Sequence, residues 1–206
     1  MLITISRQYG AGGSAVAEIV ARELGWSVVD NEFIEAVSRK AGMPREQVAE
    51  REERGPSFGE RLAQALAASP EVPLIPAAPT ENPDEPTLVK ATETVVVEIA
   101  RMGRAVLVGR AAVAVLGRHP GAIHVLLVAS KPFRAGVIME RLGVEEKAAL
   151  KAMHDTDNRR ARYHKDFYQR DWLDPVNYHM VLNTEPLGFD GAAALIVNRA
   201  KSLGWG

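Results

Sequence analysis

The chain has 206 residues, which is enough for one domain with a full hydrophobic core, and we expect a single domain rather than two. Its 25 basic and 26 acidic residues give a net charge of -1, so no overall field favours nucleic acid or an anionic membrane. It has no cysteine, which excludes disulfides, thiolate metal sites and cysteine nucleophiles.

The N-terminal segment predicts a strand, a glycine-rich loop and a helix. Residues 2–5 are apolar or β-branched and predict a buried strand. The loop SRQYGAGGS over residues 6–14 has glycine at positions 10, 12 and 13, which leaves backbone amides able to point at one spot. Residues 15–24 carry an apolar stripe and predict a helix that ends at Gly25. Because the N-terminus of this helix would point at the same spot, we expect a polyanion to bind there.

This loop matches the P-loop pattern G-x-x-x-x-G-K-[ST] in part. Gly12 and Ser14 match it, so the backbone cradle and the hydroxyl that would reach Mg²⁺ are both present. Arg7 stands where the pattern has its first glycine, and Gly13 stands where it has the phosphate-contacting lysine. Arg7 is the nearest basic group that could replace that lysine. The alternative is a glycine-rich turn that binds no ligand.

A second strand is predicted over residues 26–29, and it ends at Asp30. In an open α/β sheet the carboxyl ends of the strands line the ligand crevice. Asp30 could therefore contact a substrate or a metal-bound water, or it could cap the helix predicted over residues 31–41. The sequence does not separate these two roles.

Residues 45–86 differ in composition from the rest of the chain. Residues 45–54 are highly charged, residues 58–68 are rich in alanine, and residues 69–86 contain six prolines. This proline density forbids regular helix or interior strand. A long irregular connection within a compact domain is either a functional lid or a disordered excursion, so we expect an insertion here and leave its role open.

The rest of the chain alternates predicted helices and strands. Helices are predicted over residues 87–102, 131–142, 145–163 and 189–203, and strands over residues 104–108, 122–129 and 179–183. Two of these strands have continuously apolar centres, which is typical of parallel strands that are covered on both faces. We therefore predict a three-layer α/β fold with a mainly parallel sheet of about five strands and the first strand at its centre.

Several charged residues in this second half are candidate anion ligands. Arg110 follows a strand, so its guanidinium would lie at the ligand crevice, where it suits a phosphate or a base edge. The last turns of the helix at 145–163 carry Asp157, Arg160 and Arg162 among other charges. We expect that end to be exposed or to close on an anion. The alternative for Arg110 is a surface ion pair, and the alternative for the helix end is a solvated, charged surface.

Arg134 and Arg141 lie in the helix predicted over residues 131–142. Each could face solvent or a phosphate, and the sequence does not choose between them.

Several segments resemble the cytidylate kinase-like family of nucleoside monophosphate kinases. They are the N-terminal strand, glycine-rich loop and helix, Arg110, the charged helix end with Asp157 and Arg160, and an aromatic-rich run into the last strand. The run consists of Phe167, Tyr168, Trp172, Asp174, Asn177, Tyr178, Leu182, Asn183 and Thr184. The resemblance covers roughly two thirds of the chain and leaves out the proline-rich segment. It implies a P-loop nucleoside monophosphate kinase-like fold, with an acceptor-binding insertion at about residues 45–86 and an arginine-rich lid at about residues 145–175.

The resemblance also implies a reaction, which is ATP- and Mg²⁺-dependent phosphoryl transfer to a nucleoside monophosphate, CMP or dCMP being the expected acceptor. The donor phosphates would be held by Gly10, Ala11, Gly12, Gly13 and Ser14, and Ser14 would also reach Mg²⁺ through the bound nucleotide. The transferred group would be neutralised by Arg7, Arg110, Arg160 and Arg162. The acceptor would be contacted by Asp30, Arg110 and Asp157.

Two other functions stay open. One is a P-loop kinase of another small acceptor, and the other is a nucleotide-binding module without catalysis, which the glycine at position 13 favours. The expected partners are small-molecule nucleotides and not nucleic acid or a membrane, and a homodimer is left open. Because no apolar run reaches the roughly 18 residues of a membrane span, and the chain starts with a core strand instead of a signal sequence, we expect a cytoplasmic protein.

Overall fold

A computed structural model describes residues 1–30, 85–109, 111–117 and 119–206. The helix predicted over residues 31–41, most of the insertion predicted over residues 45–86, and Arg110 lie outside the described residues. The chain divides into two compact units, which are treated separately below. The first consists of Met1–Val28 and Arg104–Gly206, and the second consists of Val29–Gly103.

The N-terminal strand, loop and helix form as predicted. Strand β1 covers Leu2–Arg7, and helix α1 covers Gly13–Leu24. The helix begins two residues earlier than predicted, because Gly12 adopts a left-handed conformation with φ of 77° and turns the chain directly into it. Gly25, with φ of 64°, ends the helix and donates its backbone N–H to the last turn.

The five strands of the described residues form one sheet in the order β2-β3-β1-β4-β5. The strands after β1 are β2 at Ser27–Val29, β3 at Ala105–Val108, β4 at Ala122–Val128 and β5 at Met180–Asn183. Strand β1 pairs in parallel with β3 and with β4, and β4 pairs in parallel with β5. The predicted α/β fold with a mainly parallel sheet and β1 at its centre is confirmed. The glycine-rich loop therefore leaves the middle of the sheet at the carboxyl ends of the strands.

Helices cover both faces of the sheet in the first unit. Side chains from α1 and from helix α6, at Thr184–Ser202, pack on one face against alternate residues of β1, β3 and β4. On the opposite face, Val113 of the short helix α3, at Ala112–Leu116, packs with Leu126 and Tyr178. These layers bury both faces of the central strands, which explains the continuously apolar centres of β3 and β4.

The helix directly after β4 has its predicted bounds, and the next helix is longer than the sequence predicts. Helix α4 covers Lys131–Leu142 and is capped by Ser130, whose hydroxyl accepts the backbone N–H of Phe133. Helix α5 covers Glu146–Tyr168, five residues beyond its predicted end. Its last turns persist because the rings of four residues lie against one another, and these are Tyr163, His164, Tyr168 and Trp172.

Helix α6 begins five residues before the predicted start, directly after β5. The side chain of Asn183 caps it by accepting the backbone N–H of Glu185. The helix is kinked at Gly188, which has a non-helical conformation with φ of 66° and ψ of 170°. The kink explains the error, because the predicted helix starts where regular geometry resumes.

The second unit contains helix α2, at Glu85–Met102, which was predicted from residue 87. Its buried side chains recur at helical spacing and include Val89, Val96, Ile99 and Ala100. Glu98 pairs with Arg101 one turn later. Among the described residues of both units, no helix has the length and apolarity needed to cross a membrane.

Candidate phosphate-binding site

The loop between β1 and α1 presents a group of backbone N–H donors. Gly10 and Gly12 have φ of 87° and 77°, a conformation that L side chains rarely adopt. The N–H of Ala11 donates to the carbonyl of Gln8, which makes the loop turn tightly. Within the described residues, the N–H groups of Gly10, Gly12, Gly13 and Ser14 donate to no other group. These donors adjoin the N-terminus of a 12-residue helix, and both features attract an anion.

Gly13 leaves space for the side chain of Arg7. A Cβ added at Gly13 would lie 2.7 Å from Cγ and 3.0 Å from Cδ of Arg7, closer than side-chain atoms tolerate. The aliphatic part of Arg7 therefore runs along the position where a P-loop has its lysine. The two departures from the P-loop pattern are in contact with each other.

The other two glycines of the loop pack against neighbouring helices. A Cβ at Gly10 would lie 2.6 Å from the backbone oxygen of Arg134 on α4. A Cβ at Gly12 would lie 2.2 Å from the ring of Phe189 on α6. The buried hydroxyl of Thr184, also on α6, donates to the carbonyl of Ala11 at 3.2 Å. The loop is thus held by main-chain and side-chain atoms on both sides.

A network of polar side chains joins the loop to α4 and α5. The carboxylate of Asp157 accepts the backbone N–H of Tyr9 at 2.8 Å and pairs with Arg134 at 2.6 Å and with Arg160 at 3.3 Å. Arg134 also donates to the carbonyl of Tyr9 at 3.2 Å, and Arg160 donates to the carbonyl of Arg7 at 2.8 Å. Asp157 and Arg160 therefore contact the loop from the middle of α5, because the helix continues to Tyr168. The closure of this segment on an anion stays a prediction.

The ring of Tyr9 gathers further positive charge. The guanidinium carbons of Arg141 and Arg160 lie 5.1 Å and 5.8 Å from its centroid, which is cation–π geometry. Arg141 also donates to the hydroxyl of Tyr9. Burial lowers the pKa of the Arg160 guanidinium, and the neighbouring Asp157 carboxylate opposes that change. Arginine keeps its charge at neutral pH, so Arg141 and Arg160 place positive charge beside the loop that carries the N–H donors.

The structure brings together most of the predicted site residues. Arg7, the segment from Gly10 to Ser14, Asp157 and Arg160 all lie in this one region. Arg162 is exposed on α5, and Ser14 is exposed at the start of α1. Asp30 is partly buried and belongs to the second unit. The roles assigned to these residues, and to Arg110, stay predictions.

Three residues of the site make contacts that the sequence does not indicate. Of the two alternatives for Arg134, solvent or a phosphate, the structure excludes solvent, because only 4% of the residue is exposed and its guanidinium contacts Asp157 and the carbonyl of Tyr9. Thr184 and Phe189 reach the loop from an element more than 170 residues away in sequence. The sequence carries no local signal for such contacts, because they arise from the order of the strands.

The fold and the loop define the class, since a glycine-rich turn between the central parallel strand and a helix is the arrangement of P-loop kinases. The chain belongs to the cytidylate kinase-like family, whose model matches residues 2–186.

Solved structures share this fold at low sequence identity. One is an uncharacterized protein from Eubacterium ventriosum, which is 21% identical, with a TM-score of 0.70 over 98% of this chain and 99% of that chain. Another is shikimate kinase from Bacteroides thetaiotaomicron, which is 12% identical, with a TM-score of 0.50 over 98% of this chain and 97% of that chain. No curated protein sequence matches significantly.

Proposed function

We propose that the protein transfers a phosphoryl group from ATP to a nucleoside monophosphate, with CMP or dCMP as the acceptor. The observation that carries this proposal is the group of N–H donors at Gly10, Gly12, Gly13 and Ser14, which have no acceptor within the described residues. A buried N–H group without a hydrogen bond costs free energy, and a phosphate supplies the acceptor oxygens that these groups lack. Membership of the cytidylate kinase-like family supports the choice of acceptor.

The proposal assigns each residue a task in phosphoryl transfer. The amides would hold the donor β-phosphate, and the Arg7 side chain, which runs along Gly13, would take the place of the lysine. Arg160, Arg162 and Arg110 would neutralise the transferred group, while Asp30, Arg110 and Asp157 would contact the acceptor. Because an acceptor phosphate is already a nucleophile, the site needs no strong general base.

The residues at the start of α1 also fit Mg²⁺. Within the described part of the chain, no cluster of three or more His, Asp or Glu side chains could hold a metal ion alone. The exposed hydroxyl of Ser14 stands where the P-loop pattern has its metal-contacting hydroxyl. We therefore assign Mg²⁺ to Ser14 and the nucleotide phosphates together, where the ion would supply charge neutralisation on the phosphate oxygens.

The test measures ADP formation and ADP affinity in the same preparation. The purified protein is incubated with ATP, Mg²⁺ and one acceptor at a time, from CMP, dCMP, UMP, AMP, GMP and shikimate, the last because shikimate kinase shares the fold. We expect turnover with CMP or dCMP. Turnover with another acceptor alone would make the protein a kinase of that acceptor. Binding of ADP without turnover on any acceptor would favour a nucleotide-binding module.

A further inference from the structure

The backbone of Tyr9 is held by two side chains that also hold each other. Its N–H donates to Oδ1 of Asp157 at 2.8 Å, and its carbonyl accepts from Arg134 at 3.2 Å. Arg134 donates to Oδ2 of Asp157 at 2.6 Å, which closes a ring of three hydrogen bonds. The side chains of Arg134 and Asp157 are 5% and 19% exposed, so water competes little for these contacts.

This ring fixes the direction of the next peptide. The carbonyl of Tyr9 and the N–H of Gly10 belong to one peptide unit, and no described peptide bond is cis. In a trans peptide these two groups point in opposite directions. Because the carbonyl accepts from the guanidinium of Arg134, the N–H of Gly10 points away from that guanidinium, and it is the first N–H of the loop that has no acceptor within the described residues.

We propose that Arg134 is a positioning residue for the donor phosphate. It orients the Tyr9–Gly10 peptide so that the Gly10 N–H points at the phosphate, and through Asp157 it couples that peptide to α5. The inference rests on the proposed function, because it names the residue that prepares the phosphate-binding loop. It gives Asp157 a task within the protein, next to the acceptor contact proposed above.

A purely structural role for the pair explains less of the geometry. Helices α4 and α5 are already joined by an apolar contact of Ile138 with Ala149 and Met153. A buried ion pair contributes little stability relative to an apolar contact of similar size. In addition, Nε of Arg134 is buried without a hydrogen-bond partner among the described residues. A buried donor without a partner needs an explanation, and a role of Arg134 in holding the loop supplies one.

The test compares nucleotide affinity with stability in matched variants. Arg134→Gln and Arg134→Lys change the ring of hydrogen bonds, whereas Ile138→Ala weakens the apolar α4–α5 cluster, against which Tyr9 also packs, and keeps all three hydrogen bonds of the ring. ADP affinity is measured by calorimetry well below the melting temperature of each variant. We expect both Arg134 variants to bind ADP about tenfold to a hundredfold more weakly, the loss of one charge-assisted hydrogen bond. Ile138→Ala should melt earlier and bind ADP with wild-type affinity.

A second readout follows the loop directly. In a titration with inorganic phosphate, the amide resonance of Gly10 should shift in the wild type and in Ile138→Ala, and should shift much less in Arg134→Lys. Wild-type ADP affinity in folded Arg134 variants would overturn the positioning role alone. Failure of the wild-type protein to bind ADP or phosphate would overturn the proposed function, and the positioning role with it.

Discussion

Arg7 occupies the space that any side chain at position 13 would need, because a Cβ added at Gly13 would lie 2.7 Å from its Cγ. Gly13 has a conformation compatible with other residues, since its φ is not among the positive values. The glycine is therefore required by Arg7 and not by the backbone. This relationship favours the interpretation that Arg7 supplies the charge of the missing lysine over the interpretation that catalysis has been lost.

Restoring the P-loop lysine at position 13 should therefore damage the site. In Gly13→Lys the new side chain collides with Arg7, and we expect a loss of about 1 to 3 kcal/mol in the free energy of unfolding, as for other overpacked positions. ADP affinity should fall as well. The measurements are urea unfolding and calorimetric titration with ADP.

The double variant Arg7→Ala/Gly13→Lys tests whether the collision is the cause. Removing Arg7 opens the space beside position 13, so the double variant should be more stable than Gly13→Lys alone and should bind ADP better. Residues in contact show non-additive effects of about 0.5 to 3 kcal/mol. Strict additivity of the two changes would refute the steric relationship.

Loss of the Arg7 side chain should affect turnover more than nucleotide binding. The charge of Arg7 matters most while the phosphoryl group is in flight, so Arg7→Ala should lower kcat about a hundredfold or more and change ADP affinity little. The bond from Arg160 to the carbonyl of residue 7 uses the backbone and should survive. Steady-state kinetics with the best acceptor gives kcat, and calorimetric titration gives the ADP affinity.

Arg7→Lys is the matched control, and it should recover part of the lost turnover because it restores a cation. Unchanged kcat in a folded Arg7→Ala protein would remove Arg7 from the mechanism. Neutralisation of the transferred phosphoryl group would then be assigned to Arg110, Arg160 and Arg162.

Alanine should not be tolerated at Gly10 of the loop, whereas it should be tolerated at Gly136 of α4. At Gly10, φ of 87° and the backbone oxygen of Arg134, 2.6 Å from an added Cβ, both oppose a side chain. We expect Gly10→Ala to cost at least about 1 to 3 kcal/mol and to abolish ADP binding. Thermal unfolding and ADP titration measure the two effects.

Gly136 supplies the control, because it lies on α4, the helix whose Arg134 opposes a side chain at Gly10. Nothing lies within 4 Å of a Cβ added there, and alanine favours a helix by about 0.5 to 1 kcal/mol over glycine. Gly136→Ala should therefore raise the melting temperature slightly and leave ADP affinity unchanged. Equal tolerance at both positions would show that the loop adapts to a side chain at Gly10.

Local patterns predicted the parts of the fold that depend on local chemistry. The β1–loop–α1 segment was predicted because its glycines and its apolar stripe have fixed spacing. Helix α3, at Ala112–Leu116, was missed because five residues are too few to show helical periodicity. It also starts after Ala111, which has an unusual φ of 49° that the sequence does not indicate.

The site could be predicted only as far as its own loop. Gly10, Gly12 and Gly13 are recognisable because the loop needs them for its conformation or its packing. The side chain of Arg134 could not be placed, because its burial depends on Asp157 in the next helix and on Tyr9 in a distant loop. Contacts set by tertiary packing leave no periodic signal along the chain.

The buried imidazole of His164 should make the folded protein sensitive to mild acid. Burial chiefly, and the charge of Arg170 in addition, lower the pKa of His164 from 6.5 to about 4. The unfolded chain therefore binds a proton below pH 6.5 that the folded chain refuses until about pH 4. The stability contributed by neutral His164 is complete above pH 6.5 and is lost as the pH falls through this window. At pH 5 the loss should be about 2 kcal/mol.

The measurement is urea unfolding, followed by tryptophan fluorescence, at pH 7 and at pH 5. Burial also lowers the pKa of His124, which adds a loss of the same sign, so the comparison is between variants and not with a pH-independent protein. His164→Phe keeps a ring against Trp172 and should lose about 2 kcal/mol less than the wild type between the two pH values. His154→Gln, on the exposed side of the same helix, should behave as the wild type does. If His164→Phe loses as much stability as the wild type, His164 is protonated in the folded protein at pH 5 and its burial does not exclude the charge.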